Sequence, residues 1–213
     1  MGMSGLFVVF EGGDGVGKST QATLLADRLR SSGREVVRTF EPGDTAAGRQ
    51  IRQILLDPAT GDLDARAEAL LYLADKAHHL HEVVRPALAR GAVVVCDRYV
   101  DSMLAYQGAG RVLDRGELAG LARWATDGLR PDLTVLLDLE PARGVGAITA
   151  KDRLEAAGDD FHLRARQGFL ELAEAEPERY LVLPARQPIE TIAAAVRDRV
   201  DALLSDPRGR LDP

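Results

Sequence analysis

The stretch Gly12–Thr20 reads GGDGVGKST and directly follows the apolar run Leu6–Phe10, LFVVF, and Glu11. It matches G-x-x-x-x-G-K-[ST], in which glycines let successive backbone N–H groups turn towards phosphate oxygens. The lysine of this pattern reaches the β- and γ-phosphates, and the hydroxyl after it can hold Mg²⁺. A strand, a loop and a helix occur in the required order, so we interpret the stretch as a phosphate-binding loop rather than a linking turn. The residues expected to contact the nucleotide are Gly12, Gly13, Asp14, Gly15, Val16, Gly17, Lys18, Ser19 and Thr20.

The composition is that of an ordinary globular domain. The 213 residues are 28% charged and 46% hydrophobic, a length that suits one domain. The net charge of −6 gives no overall basic surface of the kind that binds nucleic acid. Because there is no signal peptide and no run of 18 apolar residues, we expect a cytoplasmic protein without a membrane contact. The only cysteine, Cys96, ends an apolar run, and we expect it to be a core thiol.

Strand and helix patterns alternate along the chain. Strands are predicted at 8–10, 35–39, 92–96, 133–139 and 180–183. Helices are predicted at 19–32, 47–56, 64–89, 114–125, 161–175 and 189–204. This alternation predicts an α/β fold, a doubly wound parallel sheet with right-handed crossovers, over residues 1–204, followed by a flexible tail at 205–213.

Two charged residues follow a predicted strand at the edge where ligands bind in such folds. Asp97 and Arg98 come directly after the run 92–96. An acid at this place organises Mg²⁺ in phosphoryl-transfer proteins, although a turn or capping aspartate is the alternative. A guanidinium there fits bidentate recognition of a phosphate.

The longest predicted helix carries further candidates. Tyr72 and Lys76 are four residues apart and therefore share one face. A ring and a cation on one face could stack on a base and hydrogen-bond its edge, although an aromatic residue at this spacing is more often core. His78, His79 and His81 cluster on the same helix, and without a further ligand set we interpret them as a solvated face rather than a metal site.

The chain resembles the thymidylate kinases, a family of P-loop nucleoside-monophosphate kinases, over residues 6–204. The resemblance rests on EGGDGVGKSTQ at 11–21, EPG at 41–43, AEALLYLADKAHH at 67–79, DRYVDSMLAYQG at 97–108, DRLE at 152–155, FHLRAR at 161–166 and ARQPIE at 185–190. It implies phosphorylation of dTMP to dTDP by ATP for dTTP synthesis, with ATP and Mg²⁺ as cofactors. It also implies a three-layer P-loop NTPase fold around five parallel strands, a short mobile lid at about 142–160, and a homodimer that takes small-molecule nucleotides as its partners.

The resemblance also implies roles for individual residues. The catalytic set would be Lys18, Asp14, Arg98 and Arg153. The substrate would contact Glu41, Pro42, Arg52, Tyr72, Lys76, Arg98, Ser102, Met103, Tyr106 and Gln107. Within this set Arg98 and Arg52 would bind the acceptor phosphate and Tyr72 would stack on the pyrimidine. Ser19 and Asp97 would hold the metal, and Arg143 and Arg186 would lie near the ATP, with residues 185–188 beside its adenine.

Several residues depart from the family pattern. Phe40 replaces an arginine before EPG, Lys76 replaces a base-contacting arginine, and Met103 stands where many relatives carry a polar residue. The predicted lid is short and offers Arg143 and Arg153 as its arginines. Three alternatives therefore stay open: a kinase for another or a modified pyrimidine monophosphate, a slowly hydrolysing P-loop switch, and a nucleotide-binding member with weakened catalysis.

Overall fold

The fold is built on a parallel sheet of five strands, seen in a computed structural model that describes residues 5–110, 113–140 and 158–205. The strands are β1 (Leu6–Gly12), β2 (Val36–Phe40), β3 (Val93–Asp97), β4 (Leu133–Asp138) and β5 (Tyr180–Pro184). Their spatial order is β2-β3-β1-β4-β5, and every neighbouring pair is parallel. The chain moves to the opposite side of β1 between β3 and β4, so the carboxyl end of β1 lies at the switch point where ligands bind in open α/β sheets.

Eight α-helices occur in the described part of the chain. They are α1 (Lys18–Ser31), α2 (Ala46–Leu56), α3 (Ala65–His79), α4 (Arg85–Ala89), α5 (Val100–Met103), α6 (Arg115–Thr126), α7 (Asp159–Ala175) and α8 (Ile189–Ser205). The single long helix predicted at 64–89 is α3 and α4 joined through a π-helical turn, Leu80–Val84. The ends of the predicted elements shift by at most two residues.

One helical segment was missed by the sequence interpretation. No helix was predicted at 97–108, yet α5 lies there and continues into a π-helical stretch, Leu104–Gly110. Its apolar residues stand in two short groups, at 99–100 and 103–106, which are too few to establish a 3.6-residue period. Its last turns pack against α7, where Tyr106 meets Phe161 and Phe169.

Helices cover both faces of the sheet, which confirms the predicted three layers. On one face, Leu25 of α1 and Val196 of α8 pack against Val8 and its neighbours in the sheet. On the other, the end of the long helix packs against β1 and β3, including Cys96. Burial raises the pKa of the Cys96 thiol well above its ordinary value, as expected for a core thiol.

The lid and the tail are little represented among the described residues. Of the lid predicted at about 142–160, only Gly158, Asp159 and Asp160 are described, and the two aspartates open α7. Of the tail, Ser205 is the last residue of α8. Within the described ranges, no helix is long and apolar enough to cross a membrane.

Candidate active site

The phosphate loop connects β1 to α1 through glycines in the left-handed region. Gly17 has φ +98° and directly precedes α1, whose first turn has no side-chain cap. Gly12 has φ +132°, and a Cβ there would lie 2.4 Å from the carbonyl oxygen of Leu137. The positive φ angles and the close contact explain why the pattern needs glycine at these two positions. The N–H groups in the first turn of α1, which no side chain caps, can bind an anion.

The lysine of the loop folds back over it. Lys18 Nζ donates to the carbonyl oxygens of Gly12 at 3.1 Å and Gly13 at 2.5 Å. Burial, together with the charge of Arg98, lowers the pKa of Lys18 to about 8. The ammonium group of Lys18 is therefore largely removed from water and lies where the phosphates are expected. It donates hydrogen bonds to two neutral carbonyl oxygens, and carboxylates lie nearby.

A hydroxyl and a carboxylate meet beside the lysine. Ser19 Oγ, at the start of α1, donates to Asp97 Oδ2, at the end of β3, over 2.5 Å. Both are hard oxygen ligands of the kind that Mg²⁺ prefers, so this pair fits a divalent cation. Since the described residues hold no group of three or more His, Cys, Asp or Glu that could bind a metal, such a cation would take its other ligands from phosphate and water.

Arg98 lies across the loop from these groups. Its backbone has φ +69°, a strained conformation for a residue other than glycine. Its guanidinium donates to the Gly12 carbonyl at 3.0 Å and to Ser102 Oγ at 2.9 Å, and it forms an ion pair with Asp14. Burial acts to raise the pKa of Asp14, but Arg98 and Lys18 outweigh it and hold the pKa below its ordinary value.

A single cleft of about 480 Å³ extends from the phosphate loop to the other candidates. All the residues predicted to contact substrate line it: Glu41, Pro42, Arg52, Tyr72, Lys76, Arg98, Ser102, Met103, Tyr106 and Gln107. Asp14, Lys18, Ser19 and Asp97 line its other end. Tyr72 and Met103 belong at the same time to an apolar cluster with residues of α2, α3 and α6, so Tyr72 is a core residue that also lines the cleft.

The two arginines predicted to lie near the ATP, Arg143 and Arg186, cannot be placed in this cleft. Arg186 lies exposed in the turn after β5 and is not part of the cleft lining. Beyond that turn, the start of α8 is tied to α1, because Gln21 Nε2 of α1 donates to the Ile189 carbonyl at 3.0 Å. Arg143 and Arg153 lie outside the described residues.

A buried charge network supports the substrate side of the cleft. Lys76 Nζ pairs with Glu41 Oε2 at 2.5 Å and donates to the Tyr99 carbonyl at 2.8 Å. His79 contacts Glu41 Oε1 through Nδ1 at 2.7 Å and Thr39 Oγ1 through Nε2 at 2.6 Å. Burial acts to raise the pKa of Glu41, but Lys76 and His79 hold it below its ordinary value.

The predicted solvated histidine face is therefore wrong for His79, whose exposed fraction is 0%. His78 is half-buried and pairs with Glu82 at the surface, and His81 is exposed. The spacing of His79 from Lys76 and Tyr72, three and seven residues, already placed all three on one helix face. A second residue without a predicted role is Glu11, a charged side chain at the end of an apolar strand, and that position was the available signal.

Comparisons with known proteins agree on one family. A family model described as thymidylate kinase matches residues 10–196. The thymidylate kinase of Cutibacterium acnes is 62% identical over 203 residues, which cover 95% of this chain and 100% of that protein. The thymidylate kinase of Clavibacter michiganensis is 58% identical over 207 residues, 95% of this chain and 98% of that protein.

A solved structure has the same fold. The crystal structure of thymidylate kinase from Ehrlichia chaffeensis superposes with a TM-score of 0.78 at 30% sequence identity, covering 93% of this chain and 99% of that one. The resemblance drawn from the sequence motifs is thereby confirmed. The chain belongs to the thymidylate kinase family and is a nucleoside-monophosphate kinase with the P-loop α/β fold.

Proposed function

We propose that this chain transfers the γ-phosphoryl group of ATP to dTMP, giving dTDP and ADP. The observation that carries the proposal is the single cleft, which has the phosphate loop at one end and an aromatic-lined pocket at the other. Arg98 and Asp14 form an ion pair, and both line this cleft. A switch protein needs only the first end, whereas a kinase needs both.

On the donor side, the loop N–H groups and Lys18 would bind the phosphates. Lys18 Nζ would exchange the Gly12 and Gly13 carbonyls for phosphate oxygens, which carry full charge and make stronger hydrogen bonds. Ser19 and Asp97 would hold Mg²⁺, which neutralises charge on the phosphate oxygens when it is bound.

On the acceptor side, Arg98 would bind the monophosphate of dTMP. Its present partners are two neutral oxygens and Asp14, so a phosphate can take their place in a bidentate contact. Arg52 lies over the ring of Phe40, lines the same cleft and would supply a second cation. With both phosphates bound in this cleft, the protein's task would be alignment and charge neutralisation.

The base would lie on Tyr72. Lys76 lines this part of the cleft and has three ammonium protons, two of which the contacts with Glu41 and Tyr99 use. The third is available for a base carbonyl. Met103 offers only an apolar surface, so base recognition would depend on Lys76 and Gln107.

A cation from the lid would complete the charge around the transferred group, and we assign it to Arg153. Closure of such a segment excludes water and suppresses ATP hydrolysis. Arg153→Ala should lower kcat by about 10³ or more. A loss of less than about threefold would remove Arg153 from the mechanism.

The experiment that tests the function is coupled ADP release with ATP and Mg²⁺ across dTMP, dUMP, dCMP, UMP, CMP, AMP and GMP. We expect strong preference for dTMP and loss of activity in Lys18→Ala with an unchanged circular dichroism spectrum. Preference for another pyrimidine would reassign the substrate. No stimulation by any acceptor, or retained activity of Lys18→Ala, would contradict the proposal.

We also infer a homodimer, working in the cytoplasm where such nucleotides are made. The support is family membership and the outer face of the packed helices α2, α3 and α6. This face exposes Ile54, Leu70, Leu121 and Trp124, the last of which is 82% exposed. Light scattering should give a dimer mass at micromolar concentration, and Trp124→Glu should shift it towards a monomer. A monomer in the unmodified chain would contradict the inference.

A further inference from the structure

The last residue before the phosphate loop's first glycine is a fully buried carboxylate. Glu11 lies near the end of the central strand β1 with an exposed fraction of 0%. A buried carboxylate is costly unless several donors satisfy it. Three donors do so here: Tyr99 N at 2.8 Å and Ser102 N at 3.1 Å to Oε1, and Ser102 Oγ at 2.6 Å to Oε2. All three belong to the segment after β3, 88 to 91 residues away along the chain.

This carboxylate takes the place of a helix cap. α5 begins at Val100 after Tyr99, whose own side chain makes no capping hydrogen bond. Glu11 accepts from Ser102 N in the first turn, as the side chain of a capping residue normally would, and its negative charge faces the positive end of the helix. β1 thereby fixes where α5 starts and how it is oriented.

The same contacts enclose Arg98. The N–H group of Arg98 donates to the Phe10 carbonyl at 2.9 Å, and the next N–H group, that of Tyr99, donates to Glu11. Phe10 and Glu11, consecutive residues of β1, thus bond the peptide groups before and after Arg98, whose φ is +69°. A left-handed conformation at a residue other than glycine persists only where the surroundings enforce it.

Glu11 also acts on the Arg98 side chain through Ser102. A hydroxyl has one proton, and Ser102 Oγ gives it to Glu11 Oε2. Its lone pairs are then directed to the guanidinium of Arg98, which donates to it at 2.9 Å. An amide nitrogen in place of Oε2 would donate to the hydroxyl instead of accepting from it and would reverse this relay.

We propose that Glu11 is a positioning residue that presets Arg98, in both backbone and side chain, to bind the phosphate of the acceptor. This inference rests on the proposed function of Arg98 as the acceptor-phosphate site. Glu11 is fully buried and is not among the residues that line the cleft, so it would act through Tyr99 and Ser102. Its removal therefore weakens recognition of the acceptor phosphate and leaves recognition of the base and of ATP intact.

The test is Glu11→Gln, compared with Glu11→Asp, at a pH of about 8, at which Glu11 is mainly an anion. Binding of dTMP and of thymidine, which lacks the phosphate, is measured by calorimetry, and KM is measured for dTMP and for ATP. In Glu11→Gln we expect dTMP affinity to fall and KM for dTMP to rise by about tenfold or more, the effect of a lost charged hydrogen bond. Thymidine affinity and KM for ATP should change by less than about twofold. Glu11→Asp keeps the charge but shortens the side chain by one methylene, so it cannot reach all three donors. It should show the same selectivity with a smaller loss, and it serves if Glu11→Gln does not fold.

Asp132→Asn is the matched control. Asp132 Oδ2 accepts from Phe7 N at 2.7 Å near the opposite end of β1, so this variant also removes a carboxylate charge that holds the strand. It should leave the ratio of dTMP to thymidine affinity unchanged. Equal weakening of dTMP and thymidine binding, or an unchanged dTMP affinity in both Glu11→Gln and Glu11→Asp, would overturn the inference. Failure of the proposed function is distinct, because the unmodified enzyme itself would then show no use of dTMP.

Discussion

Replacing Lys76 by methionine tests whether the network under the cleft is a true buried ion pair. The side chains of Lys76 and Glu41 are 3% and 1% exposed, and Nζ lies 2.5 Å from Oε2. Methionine keeps a similar length and fills most of the volume, so the change removes mainly the charge and its hydrogen bonds. What remains is a buried carboxylate with one fewer partner.

The expected cost follows from what each partner loses. Breaking a buried pair by removing one member costs about 3–5 kcal/mol in the free energy of unfolding. The Tyr99 carbonyl also loses its donor, which costs about 1 kcal/mol or more. His79 still contacts Glu41 Oε1 and limits the charge left unpaired, so we expect Lys76→Met near the lower end, about 3 kcal/mol.

Arg28→Met is the matched comparison. Arg28 of α1 and Asp201 of α8 form a two-bond ion pair at 3.0 and 2.6 Å, yet their side chains are 40% and 44% exposed. An exposed pair contributes about 1 kcal/mol or less, because water and salt already screen both charges. Both ion pairs have short hydrogen bonds and differ in burial. The two variants therefore show which of these two properties determines the loss of stability.

The assay is equilibrium urea unfolding followed by circular dichroism, at one pH and one protein concentration. Adding Glu41→Gln to Lys76→Met should cost less than the sum of the two single changes, since the orphaned charge is then gone. A loss of less than about 1 kcal/mol in Lys76→Met, or an equal loss in Arg28→Met, would refute the assignment of a buried, structurally essential pair.

Two further predictions concern the strand that leads into the phosphate loop. Gly12→Ala should lower the free energy of unfolding by about 2 kcal/mol or more, because of φ +132° and a Cβ 2.4 Å from the Leu137 carbonyl oxygen. Gly13→Ala, whose Cβ would have its nearest contact at 3.7 Å, should cost clearly less in the same unfolding assay; equal losses would contradict the reasoning. Burial, aided by the nearby Asp101, raises the pKa of Glu11 from its ordinary 4.5 to about 7. Between these pH values the unfolded chain binds fewer protons than the folded one, so stability should fall as pH rises, by about 3 kcal/mol from this group. In unfolding measured across that window, Glu11→Gln should lose this slope, and parallel profiles for both proteins would contradict the assigned pKa.

The sequence predicted the parts of the site that depend on local pattern and on topology. The phosphate loop needs only its own glycines, lysine and hydroxyl in sequence. Asp97 and Arg98 were predicted because they follow a strand, and the carboxyl ends of parallel strands meet at one edge. Both rules use neighbours along the chain or the order of elements. Neither rule depends on which distant side chains the fold brings together, and for this reason both predictions agree with the structure.

The buried charges could not be predicted in the same way. Glu41 and His79 are 38 residues apart, and Glu11 and Tyr99 are 88 apart. Whether a polar residue on a helix face points to solvent or to a partner depends on what the fold brings opposite it. His79 shared a face with Lys76 and Tyr72, but spacing alone did not say that this face was the inner one.

The two buried glutamates show that the pKa of a buried carboxyl group depends on its hydrogen-bond and charge partners as well as on burial. Glu11 and Glu41 both lie at or just beyond the carboxyl end of a strand, and both anchor a neighbouring segment of the cleft. Glu41 faces Lys76 and His79, so its pKa stays below its ordinary value. Glu11 faces mainly backbone N–H groups, a hydroxyl and Asp101, so burial dominates and raises its pKa. Acidification should therefore protonate Glu41, and weaken the hydrogen bonds that it accepts, only at low pH. The hydrogen bonds that Glu11 accepts as an anion should change near neutral pH.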